Sequence, residues 1–182
     1  MPKPTFTEKR YAVCIGINQY QLSARLGTLR YAEDDAQAMY GLLGELGFAP
    51  ENRCLLLGEA ATLDAVNDAL STIILDQPGE NDLIVFYFAG HSLPLTINER
   101  EVEQGKEPRS EVFLTTYDFD REKIKQSLSF HKRHALGMER LRKDFFEGEG
   151  SRKRLFIFDS CYSGDFYGPT YRDDQTTDPV QG

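Results

Sequence analysis

The sequence predicts an α/β fold in which a mostly parallel central sheet is covered on both faces by helices. Three observations lead there. Short apolar runs of strand length recur along the chain, and amphipathic stretches with helical spacing separate them. The runs are apolar at consecutive rather than alternate positions, which is the pattern of strands buried on both faces. The chain has 182 residues, 40% of them hydrophobic and 27% charged, enough for one domain with a substantial core.

Taken in order, Tyr11-Ala-Val-Cys-Ile-Gly-Ile17 is the first run. Ala32, Ala36, Met39, Leu42, Leu43 and Leu46 then recur at steps of three and four, and Gly47 closes that helix. Cys54-Leu-Leu-Leu57 is the second run. Thr62 can cap a helix that carries Ala65, Val66, Ala69, Leu70 and Ile73, with Asp64 favourable in its first turn. Leu83-Ile-Val-Phe-Tyr-Phe-Ala89 is the third run, and Val112-Phe-Leu-Thr115 the fourth. A third helix is expected over 138–146, followed by the fifth run, Leu155-Phe-Ile-Phe158. Strand–helix–strand repetition implies right-handed crossovers in a doubly wound sheet. The highly charged stretch from Ser92 to Glu111 reads as a surface loop. The polar stretch after Gly164, with Pro169, Asp173 and Asp178, reads as a linker or unfolded end.

Charge narrows the class. Lys and Arg number 21 against 29 Asp and Glu, a net charge of −8, which disfavours nucleic acid and anionic membrane surfaces as partners. No apolar run approaches the roughly 18 residues of a membrane span, and Met1 to Arg10 has no apolar signal region. Cys14, Cys54 and Cys161 are too few and too scattered for a disulfide framework. The expected class is a soluble cytoplasmic domain.

In an open α/β sheet, ligands bind outside the carboxyl ends of the strands. The third run ends in Phe88-Ala-Gly-His91-Ser92 and the fifth in Phe158-Asp-Ser-Cys161-Tyr-Ser-Gly164, so a histidine and a cysteine share one rim. A thiolate can attack a carbonyl while an imidazole takes up and returns the proton. Gly90 and Gly164 allow tight turns, and backbone N–H groups near Ser92 and Cys161 can receive an oxyanion. A cysteine at a strand end is otherwise a small buried hydrophobe. The hydroxyls, carboxylate and glycine around Cys161 describe a polar, accessible turn instead.

Tyr11-Ala-Val-Cys-Ile-Gly-Ile-Asn18, Ala32-Glu-Asp-Asp-Ala36, Phe88-Ala-Gly-His-Ser92 and Asp159-Ser-Cys-Tyr-Ser-Gly164, in that order, resemble the large-subunit part of caspase-like cysteine peptidases. The likeness is to metacaspases and prokaryotic caspase homologues rather than animal caspases, and runs from about Arg10 to Phe166. It implies a caspase-like three-layer αβα sandwich, with His91 as general acid/base, Cys161 as nucleophile, and the N–H groups of Ser92 and Cys161 as oxyanion hole. The resemblance also implies an acidic S1 pocket for Arg or Lys, built from Asp35 in the first helix, Asp159 two residues before the nucleophile, and Ala89. Two departures stand out. Asp159-Ser160 replaces the Gln-Ala that precedes the cysteine of animal caspases, and Ser92 stands where the family usually places glycine.

The implied organisation is a large-subunit catalytic domain over 1–166 and a flexible processing tail over 167–182, with Arg172 as a basic cleavage point. A C-terminal small-subunit portion or chain would then add further strands and one wall of the cleft. The implied partners are protein or peptide substrates. No cofactor is required on this reading; Asp118 and Asp120, after the fourth run, are weak candidates for Ca²⁺, which many metacaspases need. His131-Lys-Arg-His134 reads as a basic solvated loop, and Gly16-Ile-Asn18 lacks the continuation of a phosphate loop. A catalytically silent caspase-like scaffold that binds a protein partner is the competing reading. Retention of both His91 and Cys161 favours the enzyme. A flavodoxin-like ligand-binding domain would fit the sheet but leave the histidine and cysteine motifs unexplained.

Overall fold

The computed structural model describes residues 8–22, 26–97, 109–120, 135–147 and 153–161. In chain order its elements are β1 (Arg10–Gly16), α1 (Ala32–Glu45), β2 (Arg53–Leu57), α2 (Leu63–Ala69), β3 (Leu83–Ala89), β4 (Ser92–Ile97), β5 (Arg109–Leu114), β6 (Leu136–Gly137), α3 (Met138–Arg140) and β7 (Lys153–Asp159). β2, β1, β3 and β7 lie side by side in that order, all parallel, as the central sheet.

The two faces of this sheet bury different sets of side chains, as the period of two along a strand requires. Ala12, Cys14, Val85, Tyr87 and Ala89 meet Ala32, Ala36 and Leu43 of α1 on one face. Val13, Ile15, Ile84, Phe86 and Phe88 meet Val66 and Leu70 from α2 and the turn after it, with Leu141 and Phe145 beyond α3, on the other. Fully burying a side chain such as Phe86 or Ile15 stabilises the fold by about 1.5–3 kcal/mol. The sandwich is therefore three layers deep, the caspase-like arrangement. Gly16 is required where β1 meets α1, because a Cβ there would lie 2.4 Å from the Ala32 carbonyl oxygen.

Helix ends follow their sequence signals. Gly47, at φ 85°, ends α1, and the Phe48 N–H reaches back to the Leu43 carbonyl at 3.0 Å. Thr62 caps α2 by accepting the Ala65 N–H at 3.3 Å. Beyond Ala69 the helix widens into a π-helical turn, Leu70–Asp76, in which the Gln77 N–H reaches the Thr72 carbonyl at 3.2 Å. The stretch expected as a third helix divides in the same way, into α3 and a π-helical turn over Leu141–Phe146.

Two expectations need correction. The run at Val112–Thr115 does not join the parallel sheet; its strand, β5, pairs antiparallel with β4 and β6 in a separate three-stranded sheet. A continuous apolar run shows burial on both faces but not which sheet provides it. The stretch expected as a loop from Ser92 begins as strand β4. Its alternation of Leu93, Leu95 and Ile97 with Ser92, Pro94 and Thr96 was outweighed by the charges that follow, and Pro94 suits an edge strand. The stretch also ends as a strand, since Arg109–Glu111 open β5; residues 98–108, the His131–His134 segment and the tail after Gly164 lie outside the described residues. No helix among the described residues is long and apolar enough to cross a membrane.

Candidate active site

Because β3 and β7 are parallel neighbours, their carboxyl ends open on the same rim. Ala89 and Asp159 are partners on the last rung, and the Gly90 N–H continues the pairing to the Asp159 carbonyl at 3.2 Å. His91 and Cys161 each follow two residues beyond that rung. Strands in a sheet lie about 4.8 Å apart, so the two turns rise side by side. They are also tied, since the Ser92 hydroxyl donates to the Cys161 carbonyl. Cys161 is exposed and His91 half-buried.

The imidazole has a defined environment. His91 Nε2 lies 2.7 Å from the Gly27 carbonyl oxygen. A carbonyl only accepts, so Nε2 carries the proton and Nδ1 holds the free lone pair of the neutral ring. The Tyr20 ring packs beside the imidazole, centroids 5.5 Å apart, and its hydroxyl accepts the His91 N–H at 2.8 Å. Gly27 and Tyr20 were not singled out from sequence. The loop between β1 and α1 has no periodicity, and its one usable signal is that it leaves the same rim of the sheet.

The three free cysteines differ sharply. Burial pushes the Cys14 thiol up to about 12, with the neighbouring Cys54 adding to the shift, and burial also raises Cys54. Cys161 is the exposed one.

Asp35 and Asp159 are brought toward one place. Asp35 lies in the first turn of α1, whose backbone accepts its N–H at Tyr31, 2.8 Å away. Asp159 ends β7 beside Ala89, on the face that α1 covers. The Tyr87 phenol is raised to about 12 by burial first and then by the charges of Asp159 and Asp35. Both carboxylates are exposed, rather than partly buried as a closed pocket would hold them. Ala89 is buried.

The remaining motif residues have structural partners. Glu33 Oε1 accepts the Asn18 N–H at 3.0 Å while Asn18 Oδ1 faces the Glu33 N–H at 3.3 Å, which clips the β1 exit to the start of α1. Asp118 Oδ1 accepts the Leu63 N–H at 2.9 Å and the Thr116 hydroxyl at 2.8 Å, and so caps α2 from outside. Among the described residues no group of three or more His, Cys, Asp or Glu suited to a metal ion occurs.

The family model for the caspase domain, Peptidase_C14, matches residues 9–181. Among solved structures, the crystal structure of protein GSU0716 from Geobacter sulfurreducens matches with a TM-score of 0.61 and 20% identity, over 84% of this chain and 50% of that one. That likeness shows a shared fold, and this chain spans half the length of its counterpart. A comparison with curated proteins gives no match. Matched over nearly its whole length, the chain belongs to the caspase-domain family of cysteine peptidases, a family that also includes inactive members.

Proposed function

We propose that this chain is the large-subunit portion of a cytoplasmic cysteine endopeptidase that cleaves proteins after Arg or Lys, with Cys161 as nucleophile and His91 as general acid/base. The observation that supports it best is the shared rung, Ala89 with Asp159, which sets His91 and Cys161 on adjacent turns. With Nε2–H held by Gly27, Nδ1 takes the proton from the Cys161 thiol. The thiolate attacks the scissile carbonyl carbon, and the N–H groups of Ser92 and Cys161 receive the oxyanion. The Ser92 hydroxyl is engaged by the Cys161 carbonyl, so its backbone N–H is the group that serves. Collapse breaks the C–N bond, and the imidazolium gives its proton to the departing amine. His91 then deprotonates a water that hydrolyses the thioester, releasing the acid and restoring the thiol.

For specificity, Asp35 and Asp159 offer charge-assisted hydrogen bonds to a basic P1 side chain, weakened by solvent because both carboxylates are exposed. The active unit includes a small-subunit portion. β7 pairs with β3 on one edge, no strand pairs with its other edge among the described residues, and Leu155 on it is 50% exposed. Folded proteins usually cover such an edge. On this reading 1–166 is the catalytic portion and 167–182 the segment where processing separates the two.

The test is labelling by a peptidyl electrophile with Arg at P1, applied to the full chain with and without downstream polypeptide. The expected result is labelling that is abolished in Cys161→Ala and weakened in His91→Ala. Absence of labelling under every processing condition would replace the enzyme by a partner-binding scaffold.

A further inference from the structure

His91 is held by its backbone as well as its ring. Its N–H donates to the Tyr20 hydroxyl at 2.8 Å. Its carbonyl accepts both the Thr115 N–H at 3.0 Å and the Thr115 hydroxyl at 2.7 Å. The single Thr115 hydroxyl proton goes to the His91 carbonyl, and a Tyr20 lone pair takes the His91 N–H. Tyr20 is 3% exposed and Thr115 0% exposed, so water does not compete for these groups.

We infer that Tyr20 and Thr115 form a clasp around the His91 peptide and are positioning residues for the imidazole. The inference rests on the reading of His91 as the general base. The peptide clasp sets the backbone from which the ring projects, the Gly27 carbonyl sets one ring nitrogen, and the Tyr20 ring covers one side. Gly90 leaves room for the arrangement, since a Cβ there would stand 3.0 Å from the Tyr20 hydroxyl oxygen and 2.9 Å from the Phe88 ring. Burial raises the phenol above its ordinary range, so it stays a neutral hydroxyl at neutral pH. A catalytic group displaced by about 1 Å can lose on the order of 100-fold in rate, which is why two buried hydroxyls spent on one peptide bear on function and not only on stability.

The experiment compares Tyr20→Phe, Thr115→Val, Thr115→Ser and the Tyr20→Phe/Thr115→Val double variant in the full chain, using the same Arg-containing peptidyl electrophile. Labelling of Cys161 is followed against probe concentration. The maximal labelling rate should fall about 10- to 100-fold in Tyr20→Phe and in Thr115→Val, with the half-saturating concentration within about twofold of the parent. Thr115→Ser, which keeps the hydroxyl, should label at close to the parental rate. The double variant should be about as slow as the slower single variant, as expected of residues that act as one unit. Parental rates in Tyr20→Phe, or equal losses in Thr115→Ser and Thr115→Val, would overturn the clasp. Unchanged labelling in His91→Ala would instead overturn the reading of His91 as base.

Discussion

Ala89 and Asp159 face each other on the last rung between two parallel strands, and His91 and Cys161 each follow two residues later. This single register ties a buried hydrophobic pairing to a surface chemistry. Phe86, Phe156 and Phe158 hold β3 against β7, with Phe86 centroids 5.1 and 5.8 Å from the other two rings. A slip of one residue would separate the imidazole from the thiol and turn every side chain of β7 to the opposite face.

The exposure of the three thiols predicts a selective reaction. Iodoacetamide at neutral pH should add one group to the native chain, at Cys161, because Cys14 is buried and both Cys14 and Cys54 are held protonated. Peptide mapping by mass spectrometry reads the site. Equal modification of Cys54 would contradict the burial that raises its thiol.

Alkaline stability follows from the same burial. The Cys14 thiol stays protonated in the fold up to about 12, against an ordinary value of 9.0, so between those values the folded state holds more protons than the unfolded chain. The contribution is complete below pH 9 and is lost as pH rises toward 12. Tyr87, raised from 10.0 to about 12, acts in the same direction over the upper part of that window. Urea unfolding at rising pH should show stability falling above about pH 9, with a smaller fall in Cys14→Ala. An identical slope in the variant would remove Cys14 from the account.

Much of the fold was legible because burial writes itself into composition. The runs at Tyr11–Ile17, Leu83–Ala89 and Leu155–Phe158 lie in adjacent central strands, and Thr62 and Gly47 act as the helix boundaries they signal. The second sheet was not legible. Val112–Thr115 read as a strand, but nothing in the sequence marks which strands it pairs with, as Phe113 does with Gly137. His91 and Cys161 stood out because each follows a buried strand within a polar turn. Tyr20, Gly27 and Thr115 did not, since their roles are hydrogen bonds made across 24 to 71 residues.

Asp118 should behave as a helix cap. Asp118→Ala removes the acceptor for the Leu63 N–H and should cost about 1 kcal/mol of stability, read as a shift in the urea midpoint. If the loss appeared only in the presence of Ca²⁺, a cation-binding role would replace the capping role.

The acidic pair can be tested without any assay of activity. Replacing Asp159 by Asn removes one of the two carboxylate charges that hold the Tyr87 phenol high. Its titration, isolated by difference from a Tyr87→Phe variant, should move down from about 12 toward 10.0. Asp35→Ala should move it the same way by less, since Asp35 is the smaller contributor. No movement in either would mean that the two carboxylates do not converge beside β3.

Turnover of a fluorogenic peptide tests the proposed chemistry most directly. With the downstream portion supplied, the chain should hydrolyse substrates carrying Arg or Lys at P1. Cys161→Ala and His91→Ala should each lower kcat by orders of magnitude, because each removes a group that acts in the transition state. Most of the parental activity surviving in Cys161→Ala, or cleavage strictly after Asp, would contradict the account.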